Sequence, residues 1–218
     1  MQRHRQSNRR RDPAREARKV QRRTELLEAA DRVVRRDGPR TSMSDIAAEA
    51  GITKPILYKH FGDKGGLYQA LAERYVRALL DELREALSSE QDPRARVRTT
   101  IEAYLAFIEK ERGIYDFLMH RAVAERPEAH ATVANFIRRL ADELSLILGE
   151  DLRRANLDSG GAEPWANGIV GMVQLAGDRW LEHRAMSRSD LVDYLEALVW
   201  RGLSRGPTEL ETKTSKAN

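Results

Sequence analysis

Between residues 53 and 64 the chain gathers side chains that can donate hydrogen bonds to phosphates or to base edges: Thr53, Lys54, Tyr58, Lys59, His60 and Lys64. Hydroxyl, ammonium, phenol and imidazole groups of this kind fix a protein on a nucleic-acid backbone, and those on a helix in the major groove also meet bases. Ser42 and Pro55 lie in the same stretch. Lys64 is the odd member. It falls at the expected start of a helix, where a cation opposes the helix dipole. A residue that is locally unfavourable is explained by a partner outside the fold, and a phosphate near a helix N-terminus is such a partner.

Other chemistries fall away. The chain has no Cys, which excludes disulfide scaffolds, Cys-ligated zinc and thiol catalysis. His4, His60, His120, His130 and His183 are scattered, and no phosphate loop, dinucleotide fingerprint or His-Glu-x-x-His motif is present. No enzyme, cofactor or metal is therefore expected. No apolar run approaches the ~18–20 residues of a membrane span, and the first residues lack the apolar stretch of a secretory signal. A cytoplasmic protein without a membrane partner is predicted.

The elements that must carry those side chains follow from periodicity. The 218 residues contain 33% charged and only 6% aromatic side chains, and no strand-like alternation of useful length, so an all-α fold of about nine helices is predicted. Leu26, Leu27, Ala30, Val33 and Val34 form the apolar stripe of a first helix that Gly38-Pro39 stops. Ser42 and Asp45 resemble a capping box opening a short second helix, and Gly51 ends it. Thr53 is a ready cap for a third helix, Lys54 to about His60, with Pro55 tolerated in its first turn. Asp63 caps a long fourth helix whose Leu67, Leu71, Tyr75, Leu79, Leu83 and Leu87 read as one buried side.

Further on, Asp92-Pro93 opens a fifth helix that Gly113 should end, and short and long helices at about 114–125 and 128–148 follow, the latter closed by Gly149. Residues 150–162 read as a loop, and two last helices cover about 163–183 and 189–204. Residues 1–19 read as a disordered basic arm, 20–66 as a three-helix module, 67–205 as a larger helical domain, and 206–218 as a frayed tail.

Two short helices joined at Gly51 make a helix-turn-helix, whose second helix enters the major groove. The run Ile46-Ala47-x-x-Ala50-Gly51-Ile52-Thr53-Lys54-Pro55-x-Leu57-Tyr58-x-His60-Phe61-x-x-Lys64-x-x-Leu67 resembles the DNA-binding region of the TetR family of transcriptional regulators. The resemblance covers residues 24–68, and the total length and helix succession agree with it. It implies a homodimer on a double-stranded DNA operator, with helices 1–3 (residues 20–66) as the DNA-binding domain, helix 4 as a connecting lever, and residues 67–205 as the ligand-binding and dimerisation domain. Thr53 and Lys54 then correspond to backbone or base contacts, Tyr58 and His60 to the family's Tyr-x-His, and Lys64 to a lysine gripping phosphate, while Phe61 is packing. Gly65-Gly66 departs from good helix chemistry, each glycine costing roughly 1 kcal/mol relative to Ala. A frayed first turn that orders on DNA is the expectation there.

The helices between 93 and 183 carry most of the remaining aromatics, a set that allows an apolar pocket between helices. Tyr104, Phe107, Tyr115, Phe117, His120, Phe136, Asn167, Met172 and Arg179 are its candidate lining residues. The C-terminal half is faintly similar to lipid- or acyl-CoA-responsive actinobacterial members of the family, which makes a long-chain acyl compound one candidate effector. Gly168, Gly171, Met172, Leu175 and Ala176, with Leu191, Tyr194, Leu195, Leu198 and Leu203, form two faces suited either to a dimer through helices 163–183 and 189–204 or to burial within the subunit.

The leading reading is a repressor that a small apolar or amphipathic ligand releases from a palindromic operator. An activator, or a weakly specific architectural DNA-binding protein, is the alternative.

The net charge of +4 divides unevenly. Residues 1–24 hold ten Lys and Arg against Asp12 and Glu16, whereas the rest of the chain is net acidic and residues 25–66 balance. The arm reads either as a solubilising leader or as a cation strip lying along the DNA backbone or in a minor groove. Each phosphate it neutralises adds about 0.9 to the log–log salt slope of binding. Deleting residues 1–19 is expected to weaken binding at low salt and to flatten that slope, with operator choice nearly intact. A salt titration by fluorescence anisotropy that returns an unchanged slope would assign the arm no DNA role.

Overall fold

A computed structural model of the chain describes residues 13–89, 92–122 and 127–204, with side chains of Pro13, residues 120–130 and Ser204 left aside. Among these residues the fold is all-α. Helix α1 (Pro13–Asp37), a 3₁₀ turn (Gly38–Arg40), α2 (Met43–Glu49) and α3 (Lys54–Phe61) make the N-terminal module. The long α4 (Lys64–Ser89) leads to α5 (Pro93–Lys110) and to α6 (Arg112–Asp116), which widens into a π-helical turn over Phe117–Ala122. Helices α7 (Pro127–Arg154), α8 (Ala162–His183) and α9 (Arg188–Ser204) complete it. No helix among the described residues is long and apolar enough to cross a membrane.

Several boundaries differ from the sequence expectation, each for a local reason. Helix α1 starts at Pro13, inside the expected arm, because Pro suits the first helical position and Ala14, Arg15, Glu16, Ala17, Arg18 and Lys19 favour helix without needing an apolar face. The remainder of the arm, residues 1–12, and the tail from 205 lie outside the described residues. Gly113 does not end α5. The helix stops at Lys110 with Glu111 as its cap, and Gly113 sits inside α6. Gly149 likewise lies within α7, where a Cβ would stand 3.6 Å from that of Ala162. The break comes at Asn156, whose φ of +56° is the left-handed turn that Asn tolerates best after Gly.

Side-chain caps form at the expected starts of α2, α5 and α9, while Thr53 at the start of α3 makes no side-chain capping bond. Ser42 and Asp45 form the reciprocal capping box of α2, and Asp92 Oδ2 accepts from Ala95 N at 2.7 Å. Ser187 and Asp190 make the same kind of exchange ahead of α9. Helix α4 packs against α5 and α7, α7 against α8, and α9 against α5. Arg188 from α9 reaches Glu102 at 2.7 Å and Glu109 at 2.5 Å on α5.

The first turn of α4 is capped and packed instead of frayed. Gly66 N donates to Asp63 Oδ1 at 2.8 Å and Gly65 is buried. The chain reverses at Gly62, φ +81°, so tightly that a Cβ on Gly66 would stand 2.0 Å from the Phe61 carbonyl oxygen. Glycine is the residue that this crossing admits. A second such contact lies between modules: a Cβ on Gly113 would stand 2.7 Å from the Arg35 carbonyl oxygen and 3.0 Å from that of Val34.

Alanine at either site should therefore destabilise. Gly66→Ala and Gly113→Ala are each expected to cost about 1–3 kcal/mol, overpacking outweighing the roughly 1 kcal/mol that Ala offers in a helix. Urea unfolding of the purified variants measures this, and a gain in stability would mean that the backbones separate readily.

Candidate nucleic-acid interface and apolar cavity

Helix α3 divides cleanly. Leu57 and Phe61 are buried in the module core with Leu26, Ile46 and Leu67, which fixes the rotation of the helix and leaves Thr53, Lys54, Pro55, Ile56 and Lys59 exposed. Tyr58 and His60 are half-buried. Thr53 occupies the N-cap position in extended backbone without a side-chain capping bond. Gly51, φ +63°, supplies the turn between α2 and α3.

Two expected contacts have intramolecular roles as well. The Ser42 hydroxyl is engaged with Asp45, donating to its carboxylate at 2.6 Å. The Lys64 ammonium stands 5.2 Å over the Tyr68 ring, so a cation–π contact offsets its opposition to the helix dipole.

Arg23 belongs to the charge surplus of residues 1–24, and the structure gives it a task inside the protein. Its Nη1 donates to the His60 carbonyl at 2.5 Å and its guanidinium lies 4.4 Å over the Phe61 ring. It thereby satisfies a carbonyl at the C-terminal end of α3, where cations are favoured. Arg22 pairs with Glu25 at 2.9 Å. Partial burial, with Arg22, Lys59, Arg23 and Lys19 nearby, lowers the His60 pKa below its ordinary value. The lowered pKa favours the uncharged ring of His60 at neutral pH. Ile56 was also passed over. It is 43% exposed on the face that carries Lys59, a position suited to apolar contact with a thymine methyl.

The larger domain encloses an apolar cavity of about 100 Å³ between α4, α5, α6 with its π-turn, α7 and α8. A second, of about 230 Å³, shares Leu87, Thr100, Ile101, Leu144 and Ile169 with it. Of the candidate lining residues, Tyr104, Tyr115 and Phe136 line the first cavity. Phe107 and Phe117 are buried beside it, packed on Tyr75 and Tyr68. Asn167 is exposed and bonded to the Glu163 carbonyl, and Arg179 is exposed and pairs with Glu182. Helical phase turns both outward from α8. Met172 lies on another face, near Leu198 and Gly202. The side chain of His120 lies outside the described residues. Tyr75, read from its stripe as core, is a cavity residue.

At one end of the cavity Tyr115 donates to Asp178. Burial, and then Glu182, raise the Asp178 pKa to about 6. From the same short helix, Gly113 rests on the last carbonyls of α1, and Glu111, buried at its start, pairs with Arg35 of α1. The cavity wall and the DNA-facing module meet there.

Comparison with known proteins gives one consistent family. Residues 26–71 match the model of bacterial regulatory proteins of the tetR family, and residues 82–214 that of the tetracyclin repressor-like C-terminal domain. An uncharacterised HTH-type transcriptional regulator from Mycobacterium tuberculosis is 36% identical over 85% of this chain and 78% of its own. The HTH-type transcriptional activator FasR from Mycolicibacterium smegmatis is 31% identical over 86% of this chain and 85% of its own. The crystal structure of a TetR-like transcriptional regulator from Rhodococcus sp. superposes with a TM-score of 0.64 at 28% identity, covering 85% of this chain and 97% of that one.

On a duplex selected from random sequence by the wild type, Lys64→Ala and Tyr58→Phe should each weaken binding roughly tenfold, as loss of a charged or polar phosphate contact does. Thermal unfolding should stay nearly unchanged. Weakened binding accompanied by a large fall in Tm would place these side chains in the core instead.

Proposed function

We propose, for a chain that belongs to the TetR family of DNA-binding transcriptional regulators, that it acts as a homodimeric repressor whose palindromic operator is released when a small apolar or amphipathic effector fills the cavity. The observation that carries this reading is the shared wall. Tyr115 lines the cavity from α6, and two and four residues earlier Gly113 and Glu111 hold α6 against α1. An effector that repacks this wall would act on the module bearing Lys54, Lys59 and Lys64. It shifts the population only as far as its differential affinity for the two arrangements allows. The apolar walls suit long-chain acyl compounds, among other lipophiles.

The dimer is supported by what remains uncovered. Leu175, Tyr194 and Leu198 are 71%, 68% and 60% exposed, and the exposed Gly168 and Gly171 have open space over them. Leu191 and Leu195, assigned to the same face, are buried within the subunit, so the proposed contact is narrower than the sequence stripe. Twofold pairing places two α3 helices on half-sites about 34 Å apart. The activator reading is favoured by one observation, the relative FasR being an activator.

Footprinting on a selected duplex, with in vitro transcription, tests these alternatives. One protected palindrome with falling transcript is the expected result; rising transcript would establish an activator, and diffuse protection an architectural protein. Leu175→Glu with Tyr194→Glu should yield a monomer in sedimentation and abolish the palindromic footprint.

A further inference from the structure

Among the described residues lining the first cavity, the polar side chains are Tyr75, Thr100, Tyr104, Tyr115 and Gln174, and none is charged. Tyr115 already has an acceptor in Asp178. Tyr75 has none. It is 9% exposed, its hydroxyl is buried, and that hydroxyl has no hydrogen-bond partner. A buried donor left unpaired is destabilising and calls for an explanation, since Phe would fill the same space without it.

The surroundings hold this phenol in place. The Phe107 ring lies 4.9 Å from that of Tyr75, tilted by 58°. Tyr104 is confined by α8, where Gly177 lets the backbone approach so closely that a Cβ would stand 3.1 Å from the Tyr104 ring. Burial raises both phenol pKa values, so each remains a donor at neutral pH. The charges near this end disfavour an anion. Asp178 lies close enough to act on Tyr104, and Arg35, the cation that acts on Tyr75, is paired with Asp31 and Glu111. From Tyr75 the α4 wall continues through Leu79 and Leu83 to Leu87, where the second cavity joins.

We propose that the Tyr75 end of this cavity binds an uncharged acceptor oxygen, a ketone, ester or amide carbonyl, of an otherwise apolar effector lying along Leu79, Leu83 and Leu87, with Tyr75 Oη as the donor. This rests on the effector reading above and narrows it: a free carboxylate head group does not belong at this end. Tyr68 supplies the control. Its hydroxyl is also buried and unpaired, yet its ring packs edge-to-face with that of Phe117 and it lines neither cavity.

Calorimetric titration of the full chain with nonan-2-one and with nonanoate tests the assignment. The wild type should bind the ketone at least tenfold tighter than the carboxylate, and Tyr75→Phe should lose roughly tenfold for the ketone, the size of one buried hydrogen bond. Tyr68→Phe should leave ketone binding unchanged. The ligand-free Tyr75→Phe protein should melt no lower than the wild type, since no partner is lost. Equal ketone affinity in wild type and Tyr75→Phe, tighter nonanoate binding, or no ketone binding to the wild type would each overturn the proposal.

Operator binding separates the two levels. Tyr75-dependent ketone binding that leaves the operator complex intact would remove the effector role and keep the site. Release by another compound from both wild type and Tyr75→Phe, with no Tyr75-dependent ketone binding, would keep the role and remove this site.

Discussion

Between Gly113 and the last turn of α1 there is no room for a side chain: any Cβ would press on the carbonyl oxygens of Val34 and Arg35. That approach sets how the N-terminal module sits on the larger domain. The Arg35–Glu111 pair reinforces it, with Glu111 buried and Arg35 also held by Asp31 at 2.8 Å. A buried carboxylate is tolerable only with such a partner. The contact is stiff because it is backbone on backbone, and a packed contact of this kind exchanges between discrete arrangements more readily than it deforms.

What the sequence made legible follows from how local each signal is. The capping box at Ser42, the turn at Gly51, the cap at Asp92 and the burial of Leu57 and Phe61 are decided within a few residues, and each appears where expected. Glycine was the repeated source of error. Gly66, Gly113 and Gly149 read as a weak turn, a stop and a stop. All three stand inside helices, and at Gly66 and Gly113 a backbone oxygen comes too close for a side chain. Sequence offers the absence of a side chain but not the distant atom that requires it. Tyr75 is the same case in reverse. Its position in a Leu stripe pointed to core, and only the assembled helices reveal a cavity on one side of it and an unpaired hydroxyl.

Side-chain direction on long helices was the other gap. Asn167 and Arg179 lie on the helix that also supplies Ile169, Val170, Val173 and Gln174 to the cavity, yet both face solvent. A turn of 3.6 residues carries a side chain from wall to surface within one or two positions. Without knowing which stripe of α8 faces α5 and α7, a list of its polar residues has no orientation. Gly177, closed over by Ile108, Tyr104 and Leu105, marks the stripe that does.

Charge along α1 shows why net charge was a poor guide to DNA contact. The surplus in residues 1–24 is partly spent inside the protein: Arg23 on the end of α3, Arg22 on Glu25, and Arg18 on the Ala14 carbonyl. The module from 25 to 66 balances. Attraction to phosphate therefore rests on where Lys54, Lys59 and Lys64 stand. Helix α1 bears on that placement at two points. Its 25 residues make a rod about 37 Å long. Near its middle Arg23 grips His60 and Phe61 of α3, and towards its C-terminal end Arg35 and Val34 receive α6. A rod fixed to both cannot tilt at α6 without carrying the end of α3 with it, so the geometry of the cavity wall and that of the exposed cations are mechanically one problem.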